Sequence, residues 1–213
     1  MYYLWPLVRT VAIDLENTGI NRSRDKIIQY GIYGVDEEKQ IIECGSLVDA
    51  EVGTGRDPSR IPGVTYENVL NALPLRDGHL NLIYSLCHNA VVVMHHYQFD
   101  WTFILAEFQR NHRDPPIPRK IYCTLELSRS ILKLEGSRSL QNLCITYDIP
   151  LELAHNAMHD AKSTFRLFIT LVNMHNFDIP LGYFYDDNQM PLWQVCSQYF
   201  IPNSECAWIQ NNS

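Results

Sequence analysis

The residues best suited to chemistry near the start of the chain are two carboxylates, Asp14 and Glu16. They stand two residues apart. Asp14 lies within the apolar segment VRTVAIDL, and Glu16 follows that segment directly. Because side chains alternate along a β-strand, both carboxylates are expected on one face of the strand end. Carboxylate oxygens are ligands that Mg²⁺ and Mn²⁺ prefer, so the pair indicates part of a metal site. Taken alone, Asp-x-Glu is a weak signal and more often marks a solvated strand end than a metal site.

Three further motifs carry residues that could bind a metal ion or a substrate. Thr18 and Gly19 follow the first pair, and a glycine there lets the backbone approach a phosphate or sugar closely. Asp100 follows the segment AVVVM and the residues HHYQF, near an expected helix start, where a carboxylate can also serve as a simple cap. His155 and Asp160 frame HNAMHDA, with the histidine before the last long helix and the aspartate in its first turn.

The elements that must position these groups are read from hydrophobic periodicity and turn residues. Strands are expected at 8–15, 27–35, 40–48, 90–94 and 120–123. Helices are expected at 66–72, 77–88, 99–111, 124–134, 140–147 and 158–175. Three antiparallel strands followed by strands that alternate with helices predict an α/β fold, with a mixed sheet flanked by helices.

Two segments fall outside this pattern. Residues 49–64 contain three glycines and two prolines and form a long loop, and such loops in compact domains are often functional. Residues 177–213 are rich in aromatic residues and prolines and contain no Lys or Arg. We therefore expect a domain at 1–176 and an extension at 177–213, which either packs on the core or docks a partner.

The composition limits the partners and the setting. The formal net charge of −7 argues against a large non-specific nucleic-acid surface, but not against an enzyme that grips one strand end. The six cysteines have no zinc-site spacing, which favours reduced thiols. No segment resembles a secretory signal or is long and apolar enough to span a membrane. These features predict a cytoplasmic protein without a membrane partner.

Together, the ordered motifs DLENTG, HHYQFD and HNAMHDA resemble those of the DnaQ-like DEDDh 3′→5′ exonucleases, which have an RNase H-like fold. The resemblance runs from about residue 8 to about residue 173. Between the motifs, RDKIIQYG, IPGVTYENV and SLQNLCITYDIP also resemble family segments. Pro62 and His96 depart from the family pattern, where many relatives have His and Asn. All five positions of the catalytic set are intact.

The resemblance implies a role for each matching residue. The catalytic set is Asp14, Glu16, Asp100, His155 and Asp160. The four carboxylates would hold two Mg²⁺ ions, for which Mn²⁺ can substitute, and His155 would be the general base that deprotonates the attacking water. The resemblance also implies substrate contacts from Thr18, Gly19, Ile20 and Phe99. Ile20 as an apolar wedge and Phe99 as a stacking surface have core packing as their alternative.

The implied function is 3′→5′ exonucleolytic hydrolysis of single-stranded nucleic acid, with DNA favoured over RNA. Only contacts to the 2′-hydroxyl separate the two substrates, and the sequence does not reveal them. A non-catalytic binding module and an accessory subunit of a nucleic-acid-processing complex remain alternatives. Basic residues beside the motifs are candidate phosphate contacts, although a solvated surface explains each equally well: Arg22, Arg24, Lys26 and Lys162.

Overall fold

A mixed six-stranded sheet carries the residues that the sequence singles out. The structure, a computed structural model, describes residues 8–51, 61, 64–131, 137–151, 153–174 and 184–185. The strands are β1 (Thr10–Asn17), β2 (Ile27–Val35), β3 (Ile41–Leu47), β4 (Val91–Met94), β5 (Lys120–Cys123) and β6 (Phe184–Tyr185). Their order in the sheet is β3-β2-β1-β4-β5-β6.

The pairing of the strands confirms the predicted mixture of directions. β1 pairs antiparallel with β2, and β2 pairs antiparallel with β3. β4 joins the other side of β1 in parallel, and β5 adds in parallel to β4. β6 pairs antiparallel with β5, and it is the part of the 177–213 extension that lies among the described residues. The ends of β1 and β4 therefore meet at one edge of the sheet.

The helices occupy the positions that the periodicity predicts, with shifts of a few residues. They are α1 (Tyr66–Leu70), α2 (Asp77–Cys87), α3 (Tyr97–Arg110), α4 (Thr124–Ile131), α5 (Leu140–Thr146) and α6 (Ala157–Met174). α3 begins two residues before the expected start, which places Asp100 inside its first turn. The remainder of the helix expected at 124–134, and Pro62 with most of the loop 49–64, lie outside the described residues.

Side-chain alternation along β1 separates two hydrophobic layers. Ala12 packs in a cluster with Phe165 and Phe168 of α6, whereas Ile13 packs in a second cluster with Phe103 and Phe108 of α3. Helices therefore cover both faces of the sheet. Because the side-chain period of a strand is two, Asp14 and Glu16 share the α6 face with Ala12.

α6 crosses β2 at very short range because β2 carries a glycine there. A Cβ atom on Gly31 would lie 2.3 Å from the carbonyl oxygen of Ala157, the first residue of α6. Gly31 is also the β2 partner of Asp14 in the sheet register. The missing side chain thus allows the start of α6 to approach the strand end that carries the first two carboxylates.

Two further features of the described residues are the state of the cysteines and the character of the helices. The cysteines of the described segments, Cys44, Cys87, Cys123 and Cys144, are free thiols, and all but Cys44 are buried. Among the helices that the structure describes, none has the length and apolar character needed to cross a membrane.

Candidate active site

The end of β1 supplies the first two acidic side chains. Asp14 and Glu16 are half-buried on the α6 face, opposite Gly31 and Gln29 of β2. The sheet register shifts between Glu16 and Asn17, so the regular ladder stops directly after the second carboxylate. The strand therefore presents both groups at its last regular positions, as their spacing predicts.

The start of α6 supplies the third carboxylate and the histidine. The backbone N–H of His155 donates a hydrogen bond to Asp160 Oδ2 at 3.0 Å. His155 has a left-handed backbone conformation (φ 61°) and is exposed to solvent. The turn before the helix thus folds back over its own first turn and holds His155 beside Asp160.

A side chain of β2 fixes the start of this helix. The buried backbone N–H of Ala157 donates to Gln29 Oε1 at 3.0 Å, across 128 positions of the chain. The first N–H groups of a helix have no partner within the helix, so Gln29 satisfies a group that burial would otherwise leave unpaired. Gln29 and Gly31 together set the distance and the orientation of α6 relative to the end of β1.

The structure brings the predicted catalytic set together. Ligand atoms of Glu16, His155 and Asp160 all lie within 4.8 Å of one another. Asp100, at the start of α3, is buried with 6% of its surface exposed, and its negative charge raises the pKa of Asp14. Four carboxylates from β1, α3 and α6 thus lie close enough to interact, with the exposed His155 beside them.

Burial, and after it the crowding of like charges, raises the pKa values of these acids. Burial raises the pKa of Asp14 well above its usual value, and the charges of Asp100, Asp160 and Glu16 add to the effect. Burial and the charge of Asp160 raise the pKa of Glu16 to about 7. Burial, followed by the charge of Glu16, also raises the pKa of Asp100. Without a counter-charge, the cluster therefore holds protons at neutral pH.

This donor set fits divalent cations. Adjacent buried carboxylates repel one another when ionised, and a bound cation turns that repulsion into attraction. All the acidic donors are oxygens, the ligand type that Mg²⁺ and Mn²⁺ favour over softer sites. The described part of the cluster contains no thiolate ligand, so a zinc site of cysteine type does not fit here.

The predicted substrate residues lie on the loop after β1 and on α3. Thr18 and Gly19 are buried at the start of this loop, whereas Ile20 leaves 78% of its surface exposed. The hydroxyl oxygen of Thr18 accepts the N–H of Lys26 at 2.9 Å, and the N–H of Thr18 donates to the Lys26 carbonyl at 2.9 Å. Thr18 therefore closes the loop, and Ile20 projects from it rather than joining the core.

The HHYQFD segment contains both packed and exposed side chains. His95 is held by Thr124 Oγ1 at 2.9 Å and by the Arg138 carbonyl at 3.1 Å, and burial lowers its pKa to about 4. His96 is exposed and stacks on Phe99 with ring centroids 6.1 Å apart. Phe99 is half-buried and also contacts Phe103 at 5.1 Å between centroids. Phe99 thus packs against the core while part of its surface stays accessible.

The candidate phosphate contacts differ in their surroundings. Arg24 has 73% of its side chain exposed, next to the buried Asp25 at 3.5 Å. Lys162 lies over the Tyr33 ring at 5.4 Å from its centroid and 3.9 Å from Glu43, so its charge is directed at β2 and β3. Arg22 and Arg24 are therefore exposed on the loop after β1, whereas Lys162 is engaged with β2 and β3.

Sequence analysis did not identify Gln29, Gly31 and His95 as parts of the site. Gln29 and Gly31 lie in the segment RDKIIQYG, and a polar residue and a glycine within an otherwise apolar strand were the available signals. A buried glutamine needs a hydrogen-bond partner, and an interior strand glycine indicates close backbone approach. Neither signal names the partner, because α6 lies more than a hundred positions away.

Comparison with known proteins agrees with this geometry. The model of the exonuclease family RNase_T matches residues 11–168. A 3′-5′ exonuclease DinG of Staphylococcus saprophyticus is 33% identical over 160 residues, which cover 74% of this chain and 17% of the relative. A DNA polymerase III of PolC type from Caldanaerobacter subterraneus is 25% identical over 162 residues, covering 76% of this chain and 11% of the relative.

A solved structure supports the fold in the same way. Exonuclease X in complex with 5′ overhanging duplex DNA aligns with a TM-score of 0.59 at 19% identity, covering 86% of this chain and 98% of that chain. This likeness concerns the fold and confirms the predicted RNase H-like sheet. The two curated relatives are much longer proteins, and the chain spans 17% and 11% of their lengths.

Proposed function

The chain belongs to the exonuclease family and carries a 3′→5′ exonuclease domain of the DEDDh type, and from this premise we propose that it removes nucleotides from the 3′ end of single-stranded DNA. The observation that carries the proposal is the cluster of four mutually repelling carboxylates with His155 at its edge. A metal-free cluster of this kind costs stability, and a function that requires bound cations would account for that cost.

The four carboxylates have distinct places around the proposed metals. Asp14, Glu16 and Asp160 would hold one Mg²⁺ ion, and Asp14 with Asp100, directly or through water, would serve the second. Mn²⁺ can take the place of Mg²⁺ because both favour oxygen ligands. When bound, the two ions neutralise charge on the phosphate and on the leaving oxygen.

His155 acts as the general base in this proposal. Its imidazole accepts a proton from the attacking water as the water oxygen forms its bond to the terminal phosphorus. The bond from phosphorus to the 3′-oxygen of the preceding nucleotide breaks, and a nucleoside 5′-monophosphate leaves. The exposed position of His155 lets its imidazole pass the proton on to solvent. The hydrogen bond from the backbone N–H of His155 to Asp160 keeps the residue beside the cluster.

The strand end is held next to the cluster by the loop after β1 and by α3. Gly19 allows close backbone approach, Thr18 fixes the ends of the loop, and Ile20 offers an exposed apolar surface to the terminal base. The accessible part of Phe99 provides a second apolar surface for a base. Replacing Ile20 by Ala tests this placement, since unchanged KM for an oligonucleotide would remove Ile20 from the substrate site.

The proposed preference for DNA rests on similarity to proteins that are linked to DNA. A DNA polymerase is among the relatives, and a similar fold was solved with bound DNA. The alternative is an exoribonuclease, which would use the same cluster. A direct test is competition between DNA and RNA strands of one sequence, with a 3′-phosphate version of each as a blocked control. Faster shortening of the DNA supports the proposal, and faster shortening of the RNA assigns the alternative.

A role inside a larger assembly remains a second proposal. The curated relatives carry the matching region within far longer chains, and the extension at 177–213 is the candidate contact for a partner. Truncation after residue 176 tests this idea by sedimentation and by partner capture. Unchanged folding, oligomeric state and partner binding in the truncated chain would rule out docking through the extension.

A cytoplasmic location likewise stays a prediction, which imaging of the tagged chain can check.

A further inference from the structure

The loop that joins β1 to β2 is anchored by an ion pair on α3, outside the catalytic set. This substrate loop, residues 18–26, starts two residues after Glu16 and carries the exposed Ile20. Glu107 and Arg110 lie one helical turn apart on α3 and form a salt bridge. Both are shielded from solvent, with 5% of the Glu107 side chain and 22% of the Arg110 side chain exposed. The pair therefore packs under the loop rather than on an open surface.

Arg110 binds the loop through its backbone. Its Nη2 donates to the carbonyl oxygen of Asp25 at 3.1 Å and also to the carbonyl oxygen of Arg22. Its Nη1 meets the Glu107 carboxylate. A guanidinium presents several donors in a fixed fork, so one side chain can hold two carbonyls and one carboxylate together. These contacts join α3 to the loop across 85 and 88 positions of the chain.

Glu107 extends the same anchor to the strand end. The backbone N–H of Ile27, the first residue of β2, faces the Glu107 carboxylate and partly offsets the rise in pKa that burial causes there. Ile27 pairs with Asn17, at the point where the register shifts directly after Glu16. The pair on α3 therefore binds the loop through Arg110, and Glu107 faces the irregular end of the ladder beside the second carboxylate.

The loop has its own internal bonds that transmit this restraint to its tip. The buried Asp25 accepts the N–H of Asn21 at 2.8 Å, and the N–H of Asp25 donates to the Asn21 carbonyl at 2.6 Å. Ile20 directly precedes Asn21. Fixing the Asp25 carbonyl thus fixes the residue next to the exposed isoleucine.

We propose that Glu107 and Arg110 are positioning residues that hold the substrate loop, and with it Ile20, in the orientation needed to grip the terminal nucleotide of a strand. This inference rests on the proposed function, because it assigns the loop to substrate binding. Neither residue touches the reacting atoms. Loss of the anchor should weaken the grip on an oligonucleotide while leaving the metal cluster intact.

Kinetics on two substrates separate positioning from chemistry. Arg110→Gln should raise KM for a 5′-labelled DNA strand about tenfold, since charged hydrogen bonds of this kind contribute about that factor, with little change in kcat. Hydrolysis of bis(p-nitrophenyl) phosphate, a diester without base or sugar, should stay within about twofold of wild type. Arg129→Gln is the matched control, because Arg129 forms the same i,i+3 pair with Glu126 on α4 at 2.7 Å.

Limited proteolysis reads the restraint without any catalysis. The loop contains trypsin sites after Arg22, Arg24 and Lys26. Native Arg110→Gln protein should be cut at these sites about tenfold faster than native Arg129→Gln protein, because the opening of the loop becomes less costly. Arg110→Lys, which keeps the charge but loses the fork, should fall between them and provides a second variant should Arg110→Gln not fold.

The outcomes distinguish this inference from the proposed function. If wild type degrades no strand but the loop of Arg110→Gln is cut faster, the proposed function fails and the anchoring survives. Equal cutting and equal KM in the Arg110 and Arg129 variants would overturn the inference while activity in wild type upholds the function. Equal losses on the oligonucleotide and on the small diester would also overturn it, since the pair would then support the metal cluster itself.

Discussion

The acidic side chains of the active site control how the metal-free protein responds to pH. A carboxyl group whose pKa is higher in the folded protein than in the unfolded chain favours folding at low pH. That advantage is lost as pH rises from the unfolded value of about 4 through the folded value. Glu16 reaches about 7 in the folded protein, and the pKa values of Asp14 and Asp100 are raised in the same direction.

We therefore expect the melting temperature in EDTA to fall between about pH 5 and pH 8, by roughly 5 °C or more. Mg²⁺ or Mn²⁺ should restore it most strongly at the upper end, where the carboxylates are ionised and bind cations best. Thermal denaturation across this range measures both effects. Asp100→Asn is the control and should flatten the EDTA curve. A melting temperature that rises with pH in EDTA would contradict the assigned repulsion.

His155 allows a test of the general base that spares the backbone. Its left-handed conformation is strained for most residues but tolerated by asparagine, so His155→Asn removes the imidazole with little change in the turn. We expect kcat to fall by roughly 10²–10⁴ while KM changes little. Stabilisation by Mn²⁺ in thermal denaturation should persist. A variant that keeps more than about a tenth of wild-type kcat would exclude His155 as the base.

Among the helices and strands, the contact between α6 and β2 has the most direct effect on the site. Gly31→Ala would bring a Cβ atom to 2.3 Å from the Ala157 carbonyl oxygen, and the backbone of α6 would have to move. Since Asp160 lies in the first turn of α6, we expect a loss of about 2–4 kcal/mol in the free energy of unfolding and a large loss of activity.

Gly78 provides the matched control for this substitution. It lies in α2, and nothing stands within 4 Å of a Cβ atom added there. Gly78→Ala should stabilise the protein by about 0.5–1 kcal/mol, because alanine loses less conformational freedom in a helix. Urea denaturation compares the two variants. Equal stabilities of Gly31→Ala and wild type would mean that α6 does not depend on this close approach.

The same elements show what a sequence can and cannot predict. β2 and β5 begin and end as predicted, because β-branched runs between polar turns specify strands locally. The same-face placement of Asp14 and Glu16 follows from the strand period alone. The early start of α3 was missed: His95, just before it, is held by Thr124 and by the Arg138 carbonyl. Such long-range contacts, like that of Gln29 with Ala157, leave no local pattern.

For the protein as a whole, the net charge of −7 disfavours contact with nucleic acid, and cations bound at the proposed metal site would offset that repulsion. A phosphate approaching the metal-free cluster meets carboxylates, whereas with metals bound it meets cations. We expect fluorescence anisotropy to show weak binding of a labelled DNA strand in EDTA, and at least about tenfold tighter binding with Ca²⁺, which favours the same oxygen ligands. Asp14→Asn should abolish the gain. Equal affinity with and without Ca²⁺ would place the strand elsewhere.

The most direct test of the central claim is the degradation of a 5′-labelled DNA strand by the purified chain in Mg²⁺, in EDTA and as the Asp14→Asn variant. We expect a ladder of products that shortens stepwise from the 3′ end in Mg²⁺, together with release of nucleoside 5′-monophosphates. EDTA should abolish the ladder, and so should Asp14→Asn, since Asp14 is the carboxylate assigned to both metals. An intact strand after incubation of the wild type with Mg²⁺ and with Mn²⁺, or degradation that persists in EDTA, would contradict the account.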